Sequence, residues 1–264
     1  MAKIHSSAIV SPSAIVGDDV EIGPYAIVEG DVEIGSNSKI EAHAVLKDGA
    51  RIGNFVTVGN FAVVAGLPQD LSFDPTIRTF ARVGDDTTLR EGVTINRATK
   101  EGGSTVVGSK CFVMAEAHVG HDSVVGNGVV IGNASLLGGH VSVGDKAFLG
   151  GCSGVHQFCR IGESVMFGGQ STATMDVAPF TIFAERNSLF GLNLVGLRRR
   201  GFAKETIAEL QSCYRKVFLG TGNMRALAAA LKEGETGQSP EAMRFLDFFA
   251  GGKRGFATPG RSSK

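Results

Sequence analysis

Aliphatic side chains return at every sixth position over most of this chain: Ile4, Val10, Val16, Ile22, Val28, Ile34, Ile40, Leu46, Ile52, Val58 and Val64. After a slip of one residue the pattern resumes at Val83, Leu89 and Ile95. It then runs from Val107 through Val113, Val119, Val125, Ile131, Leu137, Val143, Leu149, Val155 and Ile161 to Phe167. A period of six excludes the 3.6 of an α-helix, and its turn signals come too often for a generic β-sandwich. It predicts a parallel β-helix in which each hexapeptide supplies one short strand and one corner, and three hexapeptides close a triangular coil. Residues three hexapeptides apart then stack at the strand spacing of about 4.8 Å. Two residues before most of the aliphatics stands a small or β-branched one, such as Ala8, Ala14, Val20 and Ala26, which should share the interior. Glycine follows many of them (Gly17, Gly23, Gly35, Gly120, Gly126), and is expected to permit the tight or left-handed turn. A narrow prism of this kind also accounts for 37 glycines and no tryptophan.

The period breaks twice. Between Val64 and Val83 the stretch AGLPQDLSFDPTIRTFAR carries Pro68, Pro75 and one residue too many for whole coils, so a loop should bulge outward. Between Ile95 and Val107 the phase holds, but Glu101 occupies an aliphatic position, so that hexapeptide must leave the wall. Interruptions of a solenoid are where binding surfaces collect. Beyond Phe180 the spacing turns helical, with Ile207, Leu210, Tyr214, Val217 and Phe218, then Leu227 and Leu231, then Phe245, Leu246 and Phe249 behind Ser239 as N-cap and Pro240 in the first turn. The expected division is a β-helix over residues 1–185 and a C-terminal region over 186–264, helical from about 186 to 256 with TPGRSSK as a frayed tail.

Lys plus Arg and Asp plus Glu balance at 26 each, so no net field draws nucleic acid, and any acidic partner must meet a local basic cluster. No stretch reaches the roughly 18 apolar residues of a membrane span, and the opening MAKIHSSAIV lacks a leader pattern, so a cytoplasmic protein is expected. Cys111, Cys152, Cys159 and Cys213 form no CxxC pair or disulfide framework and are read as buried thiols.

Four of the six histidines cluster: His118, His121, His140 and His156. In AEAHVGHDSVVG, a coil of three hexapeptides stacks His121 on Gly139 and Asp122 on His140. A histidine, a carboxylate, a second histidine and a glycine N–H then converge on one edge, which is a set suited to acid–base chemistry. The rival is zinc, held by three histidines in the hexapeptide carbonic anhydrases. The positions that ligand spacing would use relative to His121 hold Asp85, Gly126 and Gln157 here, so neither a metal nor another cofactor is expected. His5 and His43 read as surface residues.

Together, AHVGHD, GGHVSVGD, VHQFCRIG and PQDL, followed by GLNLVGLRRRGF and a helical tail, resemble the acyl carrier protein:UDP-N-acetylglucosamine O-acyltransferases of lipid A synthesis over about residues 4 to 250. The resemblance implies a left-handed coil, against the usual right-handed preference of parallel crossovers. It implies transfer of a 3-hydroxyacyl chain from the acyl carrier protein thioester to the 3-hydroxyl of UDP-N-acetylglucosamine. His121 is then the general base, Asp122 its orienting carboxylate and the Gly139 N–H an oxyanion donor, with no covalent intermediate. It further implies that His118 and His140 flank the acyl and sugar sites, that Gln69 and Asp70 contact sugar or acyl chain, and that His156 and Gln157 line the cleft. Asn193, Arg199 and Arg200 would hold the nucleotide, Gly169 would leave the acyl groove long, and a homotrimer would place active sites between neighbours. The arginine cluster could equally dock the acidic carrier protein.

The chain departs from the family at Ser72, where lysine is usual, and at Val195, where an acidic residue is usual. FAERNSLFGLN is one residue short and lacks the usual histidine. A 3-amino sugar acceptor therefore stays open, as do a zinc-dependent hexapeptide hydratase and a non-catalytic scaffold that binds nucleotide sugar. The N-acylating relative of the same pathway is disfavoured because this chain enters its repeat at residue 4.

Overall fold

The computed structural model describes residues 1–234 and 237–260. Successive short strands go to successive walls of a three-sided prism, as a six-residue period demands. The first wall holds twelve strands, from Lys3–Ile4 to Met166–Phe167 and then Thr181–Ala184, Ser188–Leu192 and Thr258–Pro259. The second holds nine, Ile9–Val10 to Thr172–Ala173, and the third eight, Ile15–Val16 to Arg160–Ile161. Inward aliphatics pair in register down each wall: Ile22 with Ile40, Leu137 with Val155, Val125 with Val143. Leu46, Leu89, Ile131 and Leu149 are fully buried there, each side chain worth about 1.5–3 kcal/mol of burial. The first coil is the exception: Ile4 is 49% exposed and Val10 and Val16 are half-buried, because this coil is covered on one side only.

The glycines have a different reason from the one expected. The left-handed backbone falls three residues after the inward aliphatic, where Asp19, Asn37, Glu116, Asp122 and His140 all have φ between 53° and 67°. The glycine directly after the aliphatic is needed for close approach instead: a Cβ on Gly35 would lie 2.5 Å from the carbonyl carbon of Gly53 on the next coil. The same pattern corrects one cysteine. Cys152 occupies a left-handed position, with φ of 56°, and is exposed, while Cys111, Cys159 and Cys213 are buried.

Both interruptions leave the prism while the strands on either side stay aligned. Ile52 pairs with Val83 across the first and Val83 with Val107 across the second. The two excursions are tied together, since Glu101 Oε2 accepts the Arg78 N–H at 3.0 Å and Gly102 N donates to Arg78 O at 2.9 Å. Arg78 and the nearly buried Arg51 both grip Asp31, at 2.8 and 2.5 Å. The Arg78 hydrogen bond, with Arg51 behind it, outweighs burial and holds the Asp31 carboxyl at a pKa of about 2.

Helices α1 (Leu194–Arg199), α2 (Lys204–Phe218), α3 (Met224–Glu233) and α4 (Pro240–Asp247) follow. Ile207, Leu210, Cys213 and Val217 bury the inner stripe of α2 against Phe245, Leu246 and Phe249. The Ser239 hydroxyl caps α4 by accepting the Ala242 N–H at 3.2 Å, as its sequence predicts. The expected division at residue 185 falls between Thr181–Ala184 and Ser188–Leu192, which pair antiparallel. The expected frayed tail is corrected in part. Thr258 and Pro259 pair with Ser188 and Leu189 on the first wall, and the remainder of that stretch, 261–264, lies outside the described residues.

Candidate active site

The corner after the second wall builds the site from four files of stacked residues. Thr94, His118, Leu136, Gly154 and Thr172 form the outward file of the wall, in strict register. The next positions give Gly120, Gly138 and His156, then His121, Gly139 and Gln157, then Asp122, His140 and Phe158. His121 and Gly139 are neighbours as the sequence predicts: His140 N donates to His121 O at 2.9 Å, and a Cβ on Gly139 would lie 2.5 Å from His121 Nε2. Only glycine leaves room for the imidazole there. Ser123 secures this corner from inside the prism, donating to Gly138 O at 3.0 Å and accepting from Val141 N at 3.2 Å. The Gly139 N–H has no acceptor among the described residues.

His121 Nδ1 lies 2.8 Å from Asp122 Oδ2. A carboxylate only accepts, so the proton is on Nδ1 and Nε2 presents its lone pair. The same oxygen accepts the Thr99 hydroxyl at 2.7 Å, and His140 Nε2 stands 3.7 Å away. Burial pushes the Asp122 carboxyl upward, but the bonds from His121 and Thr99 outweigh it and leave its pKa below the ordinary value. Burial, with the neighbouring His121, lowers the pKa of His118, whose Nδ1 is 2.7 Å from the Thr94 hydroxyl. His140 meets His121 edge-on at 5.2 Å and stacks on Phe158 at 4.6 Å.

A cavity of about 640 Å³ opens over these files, lined by Gln69, Asn96, His118, His121, Gly139, His156 and Gln157 among others. The first excursion hangs Gln69 above it from a root held by Asn96 Nδ2, which donates to Leu67 O at 2.9 Å. Asp70 follows, kept below its ordinary pKa first by the Ser72 N–H and hydroxyl and then by the fields of His121 and His140. A groove of equal volume beside Lys3, Glu21 and Lys39 has no comparable acid–base set.

One chain thus gathers His118, His121, Asp122, Gly139, His140, His156, Gln157, Gln69 and Asp70. It does not bring the other expected residues to them. Gly169 lies on the first-wall corner against Gly151. Asn193 caps α1, accepting from Gly196 N at 3.0 Å and donating to Ser164 O at 3.3 Å, and Arg200 donates to Lys146 O at 2.5 Å, on the third-wall corner. Arg199 is exposed in the last turn of α1. Sequence reasoning missed Thr94, Asn96 and Thr99. The first two stack above His118 and Gly120 only once the extra hexapeptide is taken out of the count, and Thr99 sits within that excursion, where no periodic rule applies. His121, Asp122 and His140 also place ligand atoms within 4.8 Å of one another, so three donors are close enough to share an ion despite the failed sequence spacing.

Stacked hexapeptide coils are the architecture of the hexapeptide-repeat transferases, and the bacterial transferase hexapeptide model matches residues 13–48, 31–66 and 104–139. Residues 176–257 match the second domain of UDP-N-acetylglucosamine O-acyltransferase. The acyl carrier protein UDP-N-acetylglucosamine O-acyltransferase of Chlorobaculum parvum is 49% identical over 97% of each chain, and that of Campylobacter lari is 38% identical over 97% of this chain and 96% of its own. Among solved structures, the UDP-N-acetylglucosamine acyltransferases of Campylobacter jejuni and Francisella novicida superpose with TM-scores of 0.91 and 0.93, at 34% and 30% identity, covering 98% of this chain and 100% and 95% of theirs. The chain belongs to the UDP-N-acetylglucosamine O-acyltransferase family, and its prism is the left-handed β-helix of that family.

Proposed function

We propose that the chain moves a 3-hydroxyacyl group from the thioester of acyl carrier protein to the 3-hydroxyl of UDP-N-acetylglucosamine, the first step of lipid A synthesis. The observation that carries this is the His121 imidazole, bonded through Nδ1 to Asp122 and lying against a glycine whose N–H has no acceptor among the described residues. His121 Nε2 takes the hydroxyl proton as the oxygen attacks the thioester carbonyl, a contribution of roughly 10²–10⁴ in rate. Asp122 stabilises the imidazolium, and the Gly139 N–H meets the oxyanion. Collapse breaks the C–S bond, and the departing thiolate recovers the proton from His121. Both substrates are bound together and no covalent enzyme intermediate forms.

Residues 1–185 supply the chemistry in this reading, and 186–264 supply the grip on the nucleotide through Asn193, Arg199 and Arg200. Those residues and Gly169 lie on other corners than His121, so they complete the site from a neighbouring chain of a homotrimer. Exposed Ile9 and Leu136, at 66% and 55%, give the second wall an apolar outer face for such packing. No helix among the described residues is long and apolar enough to cross a membrane, which agrees with work in the cytoplasm beside the carrier protein.

A transfer assay with a panel of 3-hydroxyacyl carrier protein thioesters tests the reading, with hydroxyl and 3-amino sugars offered in parallel in strong chelator. Transfer to the hydroxyl sugar is expected. Exclusive transfer to the amine corrects the acceptor, activity lost to chelator restores the metal reading of the His121, Asp122 and His140 cluster, and tight sugar binding without transfer leaves a scaffold.

A further inference from the structure

The C-terminal segment reaches a histidine that lines the cavity. Asp176 N donates to Gly255 O at 2.9 Å, Ala257 N donates to Asp176 O at 2.8 Å, and Thr258 pairs with Ser188, so this segment is strapped along the last coil. Asp176 is fully buried, and its carboxylate takes Arg160 Nε at 2.8 Å. The strap sets Arg254 against His156 with a terminal guanidinium nitrogen 2.8 Å from Nδ1. His156 lines the same cavity as His121 and Gly139.

A guanidinium has only donors, so the Nδ1 that receives it carries a lone pair and the ring proton sits on Nε2. Gln157 O lies 3.2 Å from the same nitrogen, but that oxygen is itself an acceptor, and the shorter Arg254 contact decides the tautomer. Nε2 has no partner among the described residues. We propose that Arg254 is a positioning residue for substrate binding: by fixing the Nε2–H tautomer of His156, it makes that ring an N–H donor to the cavity. His156 is two coils from His121, roughly 10 Å at the strand spacing, too far to touch the reacting atoms. Its donor therefore meets an acceptor oxygen, carbonyl or phosphate, remote from the bond being made. The thioester arm and the nucleotide sugar both carry such oxygens. The identity of these substrates rests on the proposed function, whereas the tautomer does not.

The nitrogen-15 shifts of the His156 ring in the full chain read the tautomer directly. The wild type should show an unprotonated Nδ1 and a protonated Nε2, and Arg254→Ala should move both signals toward a mixture. In the same variant KM for one substrate should rise about tenfold, the loss of one hydrogen bond, with kcat held within about twofold. Arg254→Lys, which keeps a donor, should recover part of the loss, and the substrate whose KM moves identifies the acceptor. His156→Ala and the His156→Ala/Arg254→Ala double variant should have the same KM, because Arg254 acts through the ring. Additive losses would mean that Arg254 serves the fold and would overturn the proposal, as would unmoved ring signals or an unmoved KM for both substrates. Should the wild type transfer no acyl group, the proposed function fails, while the ring signals still decide the tautomer.

Discussion

His121 has three neighbours of different kinds: a carboxylate that fixes its proton, a glycine that makes room for its ring, and a backbone N–H without an acceptor among the described residues. His121→Ala should keep the fold, since the side chain lies outside the packed prism, and should lower turnover by about a hundredfold or more, the low end of what a general base contributes. A purified variant retaining more than a tenth of the wild-type rate would remove His121 from that role. The pairing of His121 with Gly139 and of Asp122 with His140 was legible in sequence because stacking three hexapeptides apart is simple arithmetic. Thr99 was not, because it approaches Asp122 from a segment outside the coil, at 2.7 Å.

At the scale of elements, two local devices hold the excursion and the strap. Arg78 and Arg51 bind Asp31 under the first excursion, and the carboxyl's pKa falls from 3.8 to about 2. A carboxyl lowered by folding stabilises the protein above its ordinary value, and that contribution is lost as pH falls from about 4 toward 2. Asp31→Asn should therefore lower the urea midpoint at neutral pH and flatten its decline over that acid window; an unchanged acid slope would show that Asp31 does not couple to folding. Gly252, with φ of +86°, allows the strap to pass Asp176, since a Cβ there would lie 2.0 Å from its carboxylate oxygen. Gly252→Ala should cost about 1–3 kcal/mol of stability, measurable as a fall in Tm. The stripes of α2, α3 and α4 and the Ser239 cap were readable from spacing, but the caps Asn193 and Asn223 and the strand at Thr258–Pro259 were not. A threonine and a proline before a glycine carry no strand pattern, and only the open edge at Ser188–Leu189 gives them a partner.

The whole molecule separates its expected site residues among three corners. One chain assembles the acid–base set, while Gly169, Asn193 and Arg200 lie on other corners. The proposed acyl groove, if bounded by Gly169, would be shared between chains of the proposed trimer. Gly169→Met should shift preference toward shorter acyl donors in the trimer, read as relative kcat/KM across the thioester panel, and an unchanged profile would remove Gly169 from the groove. Sedimentation should show a trimer, and a stable, active monomer would contradict both the shared groove and the split nucleotide site.

The sequence by itself determined the prism, because a six-residue period has only one way to bury every aliphatic and pair every short strand. It also determined which residues share a corner, since stacking follows from counting. Only the tertiary structure decided what the two interruptions and the C-terminal strap do. Their residues obey no period, so Gln69 comes to line the cavity while Thr99 and Arg254 meet Asp122 and His156, by contacts between segments far apart in the chain.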